Sequence, residues 1–307
     1  MVTFDHLLDD LLGGVARLRE PAPYALLSVR GPDAEDFLQR LCSQDVAALA
    51  PGGLAPAAFL DGKGKLVATC LVARDPRAEE AYVLETQQAQ VAALEALLER
   101  YHFTEQLTLG RLPTSCRERI GAAGADGRGA ATVEGEALVL AHARRGLQFE
   151  RWHAEDLSGL PAAAGELLDD ERAEGLRMAA GLVRVGVESE PNTLALEADL
   201  DDHCSLTKGC YTGQEVVARI HTYGHTNRGL CLLRIDAGEP ITAPVTLLEC
   251  DDEVPVGRVM AAVPLPQGTG RIGLGYLPTD FQAIGTRLVL EGGGDAIVVG
   301  PPPTGAP

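Results

Sequence analysis

Two apolar runs flank a short Asp-Gly-Lys-Gly turn in the segment APAAFLDGKGKLVATCLVA, and this pattern constrains the fold more than any other feature of the chain. An Asp-Gly pair between two apolar runs predicts a β-hairpin. A strand (YALLSVR) and a helix (GPDAEDFLQRLC) are predicted before the hairpin, and a second strand and helix are predicted after it in AYVLETQQAQVAALEALLERY. The order strand, helix, hairpin, strand, helix indicates an α+β layer of the ferredoxin-like kind, with helices on one side of an antiparallel sheet.

The pattern changes after Gly229. Short apolar runs recur there with Gly, Pro and Asp between them, which is typical of a small β-barrel or β-sandwich. The runs are LCLLRI, VTLLE, VGRVMAAV, IGLGYL and TRLVL. Residues 121–135 (GAAGADGRGAATVEG) are low in complexity and predict a flexible loop. We therefore expect an α+β region over residues 1–228, a β-barrel domain over residues 229–300 and a flexible tail over residues 301–307.

The composition indicates a soluble, acidic protein of a reducing compartment. A chain of 307 residues can bury a sizeable core in two or three domains, and it contains no apolar run of about 18 residues that could span a bilayer. The N-terminus lacks the basic region of a signal peptide. The seven cysteines are an odd number without a C-x-x-C pair, so we expect free thiols and a cytoplasmic location. The net charge of −18 opposes contact with phosphates, so tight nucleic-acid binding is not expected.

Motifs of the common enzyme classes are absent from the sequence. The chain has no G-x-x-x-x-G-K-[ST] phosphate loop, no H-E-x-x-H, no G-x-S-x-G elbow and no strand-linked G-x-G-x-x-G. His203, His221 and His225 lie near Cys204 and Cys210, but their spacings match no standard zinc pattern. We therefore expect no metal site and interpret these histidines as surface or pocket residues.

Cys210 is the best candidate in the chain for a reactive thiol. Only three of the 26 basic residues are lysines, and one of them, Lys208, stands two residues before Cys210. A helix is predicted to begin near Gly213, so its positive N-terminal end and the Lys208 ammonium would both favour the thiolate of Cys210. The alternative is that Cys210 is a buried, small apolar residue. Glu215 and Arg219, four residues apart on the predicted helix, are alternatively a surface ion pair.

The segment KGCYTGQEVVAR, followed by NRGL, resembles the signature of the YgfZ family. These proteins are folate-binding relatives of the glycine-cleavage T-protein, an aminomethyltransferase, and they support iron–sulfur enzymes. The segments LLSVRGPDAEDFLQRLCSQDV, FLDGKGKLVATCLVAR and LRMAAGLVRVGVESEPNTLALEADLD resemble further parts of the family pattern, so the resemblance covers most of residues 24–230. It implies two interleaved α+β modules over residues 1–228 and a small C-terminal β-barrel, arranged around a central opening of folate size.

The resemblance also implies which residues form the site. The loop at the mouth of the pocket would consist of Lys208, Gly209, Cys210, Tyr211, Gly213, Gln214 and Glu215. Arg177 resembles the arginine that T-protein relatives direct toward folate, and the planar fork of an arginine can bind a carboxylate in a bidentate way. Arg219 and Arg228 are expected to line the same opening. The alternative for Arg177 is a solvated helix residue.

Two departures from the aminomethyltransferase pattern disfavour aminomethyl transfer. Where those relatives have a strand ending in Asn-Ala and then a catalytic aspartate, this chain has Glu85 and Thr86 and no aspartate nearby. The GYTGEDG stretch of the relatives is replaced by RRGLQFERWHAED. The acid that would assist amine transfer at folate is therefore missing from its expected place. SEPNTLALEAD and HCSLT fit the YgfZ pattern more loosely than the signature segment does.

Three functions are compatible with these residues. The first is a folate-dependent factor for iron–sulfur cluster assembly or repair, with tetrahydrofolate or another reduced folate as ligand and iron–sulfur enzymes as clients, through which tRNA modification would be affected. The second is a folate enzyme, an aminomethyltransferase or demethylase, which the missing aspartate disfavours. The third is an interaction module that has lost folate, which the intact KGCYTGQE string disfavours. The sequence favours the first.

Overall fold

The computed structural model describes residues 4–13, 15–123, 129–160, 165–224, 226–236, 241–250, 254–266 and 270–300. The elements before the predicted barrel are α1 (Phe4–Leu12), β1 (Arg17–Arg19), β2 (Tyr24–Arg30), α2 (Ala34–Leu41), β3 (Leu54–Leu60), β4 (Leu66–Arg74), β5 (Ala81–Gln87), α3 (Val91–Tyr101), β6 (Thr108–Arg111), β7 (Ser115–Ala122), β8 (Ala130–Glu134), β9 (Ala137–Arg144), β10 (Leu147–Ala154), β11 (Glu166–Leu167), α4 (Asp170–Ala179) and α5 (Gln214–Tyr223). The later strands are β12 (Arg228–Asp236), β13 (Val245–Glu249), β14 (Pro255–Pro264), β15 (Arg271–Pro278), β16 (Arg287–Leu290) and β17 (Asp295–Gly300).

An antiparallel five-stranded sheet, in the order β3-β4-β5-β2-β6, forms the first layer. The predicted hairpin is confirmed as β3 and β4, in which Ala57 lies opposite Cys70. Helices α2 and α3 pack on one face of this sheet, where Phe37 and Leu94 are fully buried. Val91, Leu94 and Leu98 of α3 recur at 3- and 4-residue spacing, which predicts one buried face. All three are buried, so this face covers the sheet.

A second sheet, in the order β11-β1-β7-β10-β9-β8, lies against the other face of the first. Successive residues of a strand point to opposite faces, so Leu27 of β2 joins the helix-covered core while Leu26 joins a cluster with Leu138 and Leu140 of β9. The space between the two sheets is thus a buried layer. Side chains of β4, β5, β9 and β10 that point into this layer form the central cavity described below.

The prediction of a loop over residues 121–135 was wrong at both ends, since residues 121 and 122 are the last residues of β7. Residues 130–134 form strand β8, which pairs antiparallel with β9 at the edge of the second sheet. The hydrogen-bonding partners of this strand come from β9, so the glycine-rich and alanine-rich composition of the surrounding segment did not reveal it. Residues 124–128 of the same segment lie outside the described part of the chain.

The C-terminal strands form a closed barrel in the order β12-β15-β14-β13-β16-β17. Helix α4 packs against β14 and β15, where Leu176 shares a buried cluster with Ile272 and Leu274. The predicted α+β class with a small C-terminal barrel is therefore confirmed. The division into residues 1–228 and 229–300 stays a prediction, and the tail over residues 301–307 lies outside the described residues. In the described parts of the chain no helix is both long enough and apolar enough to cross a membrane.

Candidate functional site

Cys210 lies at the surface, in the loop that leads into α5. Gly213 caps the helix, and Gln214 is its first residue, so the predicted helix start is confirmed. Among the seven cysteines, Cys210 and Cys250 are exposed and the other five are buried. The alternative that Cys210 is a buried apolar residue is therefore excluded, and the thiol is accessible to a partner at the positive end of α5.

Gly213 determines how the loop approaches the β3–β4 hairpin. It adopts φ +83°, a conformation that L side chains rarely adopt. A Cβ atom on Gly213 would lie 2.8 Å from the carbonyl oxygen of Asp61 and 2.9 Å from Cβ of Leu60. The hairpin turn and the start of α5 are thus in close backbone contact, and only glycine fits between them.

Replacing Gly213 by Ala is expected to lower the free energy of unfolding by about 1–3 kcal/mol, because the substitution combines a left-handed backbone with a close contact. The midpoint of urea unfolding at an unchanged m-value measures the loss. Gly209→Ala is the matched control in the same loop, since a Cβ there would have no atom within 4 Å. Equal midpoints for the two variants would contradict this account of the loop.

Lys208 is buried and anchors the loop to the N-terminal α+β region. Its Nζ donates to the carbonyl oxygens of Cys42, at 2.9 Å, and Gln44, at 2.6 Å, and lies 5.1 Å from the centre of the Tyr211 ring. Burial lowers the pKa of Lys208 below its ordinary value. A compact ammonium suits two convergent carbonyls better than a broad guanidinium would, which accounts for a lysine at this position.

The sequence predicts that the Lys208 ammonium lies beside the Cys210 thiol. The described contacts of this ammonium are instead with the carbonyl oxygens of Cys42 and Gln44. The buried ammonium points to the segment that follows α2, where carbonyl oxygens replace its water, while Cys210 faces solvent. The thiol on which Lys208 acts is that of Cys42: burial raises the pKa of Cys42, and the nearby Lys208 charge lowers it in part. Lys208 therefore positions the Cys210 loop through the residues that follow α2.

Arg177, on α4, is buried rather than solvated, so its alternative interpretation is wrong. Its Nη2 donates to Oε1 of Glu188 at 2.7 Å and its Nε to Oε2 of Glu174 at 3.0 Å, and Nη1 also donates to the carbonyl of Leu182. Burial alone would raise the pKa of Glu188, but the charges of Arg177 and Arg184 hold it below its ordinary value. A folate carboxylate would have to compete with these glutamates for Arg177.

The remaining predicted residues divide between the loop and the barrel. Glu215 and Arg219 are exposed on α5, and Tyr211 is buried with a hydroxyl that has no partner among the described residues. Arg228 begins β12, donates to Glu190 at 3.0 Å and stacks 4.9 Å from the Tyr276 ring. It lines a pocket of about 330 Å³ on the barrel. The structure therefore gathers Lys208, Cys210, Tyr211 and Gly213 in one loop, whereas Arg177 and Arg228 are each paired with glutamates.

A charged network that sequence reasoning missed lies in the layer between the sheets, together with the apolar cluster of Leu26, Leu138 and Leu140. Arg151 of β10 donates through Nε to Glu118 at 2.7 Å and through Nη1 to Glu85 at 2.5 Å, and its guanidinium carbon lies 3.7 Å from the centre of the Tyr24 ring. Nε2 of His153 contacts the other oxygen of Glu85 at 2.6 Å. Burial would raise the pKa of Glu85, but Arg151 and His153 hold it at about 2. Glu85 is therefore an ionised, fully engaged carboxylate.

A signal for this network was present in the strand LQFERWHA. Phe149, Arg151 and His153 are spaced two residues apart, so they point to one face of β10. Charged residues at the inward positions of a strand require buried partners. Their identity could not be derived from the sequence, since the partners stand on other strands.

The central cavity beside this network has a volume of about 40 Å³. Its lining includes Tyr24, Thr69, Glu85, Thr86, His142, Arg151, Val183 and His203. Nη2 of Arg151 and both ring nitrogens of His142 have no hydrogen-bond partner in the described parts of the chain. These nitrogens fit the polar edge of a pterin, and the volume holds such an edge rather than a whole two-ring system.

The described residues contain no group of three or more His, Cys, Asp or Glu side chains that could hold a metal ion. His203 is buried and its Nδ1 contacts Asp202 at 2.7 Å, while His221 is exposed on α5. His225, the third histidine near Cys210 in sequence, lies outside the described residues.

No protein-family model matches the chain. The chloroplast protein At1g60990 of Arabidopsis thaliana is 32% identical over 117 residues, which are 38% of this chain and 26% of that protein. The mitochondrial iron–sulfur cluster assembly factor IBA57 homolog of Phaeosphaeria nodorum is 26% identical over 257 residues, which are 80% of this chain and 61% of that protein. The chain thus spans less than two thirds of the length of both. The tRNA-modifying protein YgfZ of Photorhabdus laumondii is 27% identical over 304 residues, 91% of this chain and 90% of that protein.

Nearly the whole fold is shared with a solved aminomethyltransferase structure. The glycine cleavage system aminomethyltransferase T of Bartonella henselae matches with a TM-score of 0.80 over 96% of this chain and 89% of that one, at 20% sequence identity. At that identity the match shows the fold alone. The resemblance to YgfZ-type proteins and to the T-protein that the sequence predicts is confirmed by these comparisons.

Proposed function

We propose that this chain, a relative of the YgfZ and IBA57 proteins with the fold of aminomethyltransferase T, is an accessory factor for iron–sulfur enzymes that acts through Cys210. The observation that carries the proposal is the exposed thiol in the loop that leads into α5, which the buried Lys208 anchors. An accessible thiolate can ligate iron or attack an electrophilic sulfur. An effect on tRNA modification follows through iron–sulfur client enzymes.

A reduced folate is proposed as the ligand of this factor. The unpartnered nitrogens of His142 and Arg151 in the central cavity support a ligand with a polar edge. Aminomethyl transfer or demethylation is not supported, because the chain lacks the aspartate of the aminomethyltransferases. Glu85, which stands where those relatives have Asn-Ala, is held by Arg151 and His153. With a pKa of about 2, it is a weak base at neutral pH. The folate thus serves as a bound ligand in this proposal, without a catalytic step.

Cells that lack their own YgfZ-type protein provide the test of the accessory role. Expression of this chain is expected to restore the activity of an iron–sulfur enzyme above the level of an empty vector. Calorimetry with tetrahydrofolate tests the ligand separately, since the purified chain is expected to bind it without turnover. A chain that is expressed and folded in these cells but restores no activity would contradict the accessory role.

The proposed location is the cytoplasm, and the proposed partners are iron–sulfur client proteins rather than nucleic acid. The net charge of −18 opposes tRNA backbones at physiological salt. Tight, salt-sensitive binding of tRNA by the purified chain would contradict this part of the proposal.

A further inference from the structure

We infer that the central cavity binds the amide edge of a neutral ligand, an N–H group beside a C=O group, between His142 and Arg151. The inference deepens the proposed folate binding and rests on it, because the lactam edge of a reduced pterin is such an edge. His142 and Arg151 are then the residues that select the ligand.

Arg151 supplies a donor that is fixed in place before any ligand arrives. Its Nε and Nη1 are bonded to Glu118 and Glu85, and its guanidinium stacks on Tyr24. The residue is 2% exposed, lines the cavity, and has no partner for Nη2 within the described chain. A carbonyl oxygen in the cavity would accept from this nitrogen without any rearrangement of the network.

His142 supplies the complementary acceptor. Its ring stacks on Phe149 at a centroid distance of 5.1 Å, which holds the ring plane, and both of its nitrogens are unpartnered in the part of the chain that the structure describes. Burial, together with the charge of Arg151, lowers the pKa of His142 to about 3. The neutral imidazole has one acceptor nitrogen and one donor N–H. A ligand amide whose N–H donates to His142 and whose C=O accepts from Arg151 would supply the missing hydrogen bonds of both side chains.

The charges around the cavity favour a neutral ligand over a carboxylate. Glu85 and Glu118 place two negative charges around the guanidinium of Arg151, so its charge is already compensated and a carboxylate would gain little from it. The oxygens of Glu85 are already taken by Arg151 and His153. The volume of about 40 Å³ admits a group of amide size, so a ring would enter by its edge.

The unpartnered nitrogens of His142 allow a test that compares its substitution with that of a histidine that has a hydrogen bond. A buried polar group without a hydrogen bond destabilises the fold, so a leucine at this position should be neutral or stabilising. His102 is the matched control, because its Nε2 contacts the carbonyl of Glu105 at 3.1 Å. His142→Leu is expected to leave the unfolding temperature equal to or above that of the wild type, whereas His102→Leu lowers it.

Calorimetry with tetrahydrofolate then separates a binding role from a structural one. His142→Leu is expected to weaken binding about tenfold, the scale of one hydrogen bond, while His102→Leu binds as the wild type does. His142→Gln, which keeps a donor and an acceptor, should recover part of the loss. Unchanged affinity in His142→Leu would overturn the inference and leave the proposed folate binding standing.

A small probe tests the cavity independently of folate. In protein with ¹⁵N-labelled histidine, acetamide is expected to shift the ring nitrogen signals of His142, and acetate at the same concentration is not. If acetamide shifts them while tetrahydrofolate does not bind, the folate proposal fails and the inference stands. If neither acetamide nor tetrahydrofolate shifts them, the inference is overturned.

Discussion

Replacing Arg151 by Met is expected to lower the free energy of unfolding by about 3–5 kcal/mol, the largest stability effect among these predictions. Methionine nearly fills the volume of arginine but removes the cation that Glu85 and Glu118 share. Both carboxylates would then be buried without their partner. Urea unfolding of the two proteins at pH 7 measures the difference in free energy.

Arg119→Met is the matched control for this substitution. Arg119 of β7 pairs with Glu150 of β10 at 2.7 Å in the same sheet, but both side chains are partly exposed. An exposed pair contributes about 0–1 kcal/mol, so the control should unfold close to the wild type. A similar loss of unfolding free energy in both variants would show that burial does not determine how much the Arg151 network stabilises the fold.

The loss of unfolding free energy in Arg151→Met is expected to depend on pH, because the charge of Glu85 depends on pH. The pKa of Glu85 is about 2 in the folded protein, below its ordinary value of 4.5. The ionised carboxylate therefore stabilises the fold fully at pH values above 4.5. In the wild type this contribution is expected to disappear as the pH falls from about 4.5 towards 2. In Arg151→Met the same carboxylate loses its cation and takes up a proton more readily. The difference between the two unfolding midpoints should therefore narrow from pH 7 to pH 3.

Replacing Cys210 by Ala is expected to reduce the support of an iron–sulfur enzyme to the level of the empty vector, the largest effect on function. The thiol is exposed, and alanine removes a single sulfur atom, so the folded state should persist. The activity of the client enzyme in cells that lack their own YgfZ-type protein measures the loss. Equal thermal unfolding of the purified variant and the wild type would show that the fold is retained.

Cys250→Ala is the control for the Cys210 variant, because Cys250 is the other exposed cysteine of the chain and lies beyond β13, on the barrel. It is expected to restore activity as fully as the wild type does. Full restoration by Cys210→Ala would defeat the proposed role of the thiol. Loss of activity in both variants would point to thiol chemistry that is not specific to the loop.

The sequence alone determined the elements whose signals are local. The Asp-Gly turn predicted the hairpin, the 3- and 4-residue spacing predicted the buried face of α3, and the runs after Gly229 predicted strands that close into a barrel. The helix start after Cys210 was likewise predictable, because a glycine that precedes helix-compatible residues marks a boundary over a few positions. In each case the signal lies within a short stretch of sequence, although closure of the barrel pairs β12 with the distant β17.

Only the tertiary structure decided which charged groups face each other. Lys208 bonds to the carbonyl of Cys42, 166 residues away, and Arg151 bonds to Glu85 across 66 residues. Strand alternation predicts that Arg151 and Glu85 point inward, but the packing of one sheet on the other determines that they meet. The ammonium of Lys208 was expected beside its sequence neighbour Cys210. Because desolvating a cation is costly unless polar groups replace its water, the buried ammonium lies instead where two carbonyl oxygens converge.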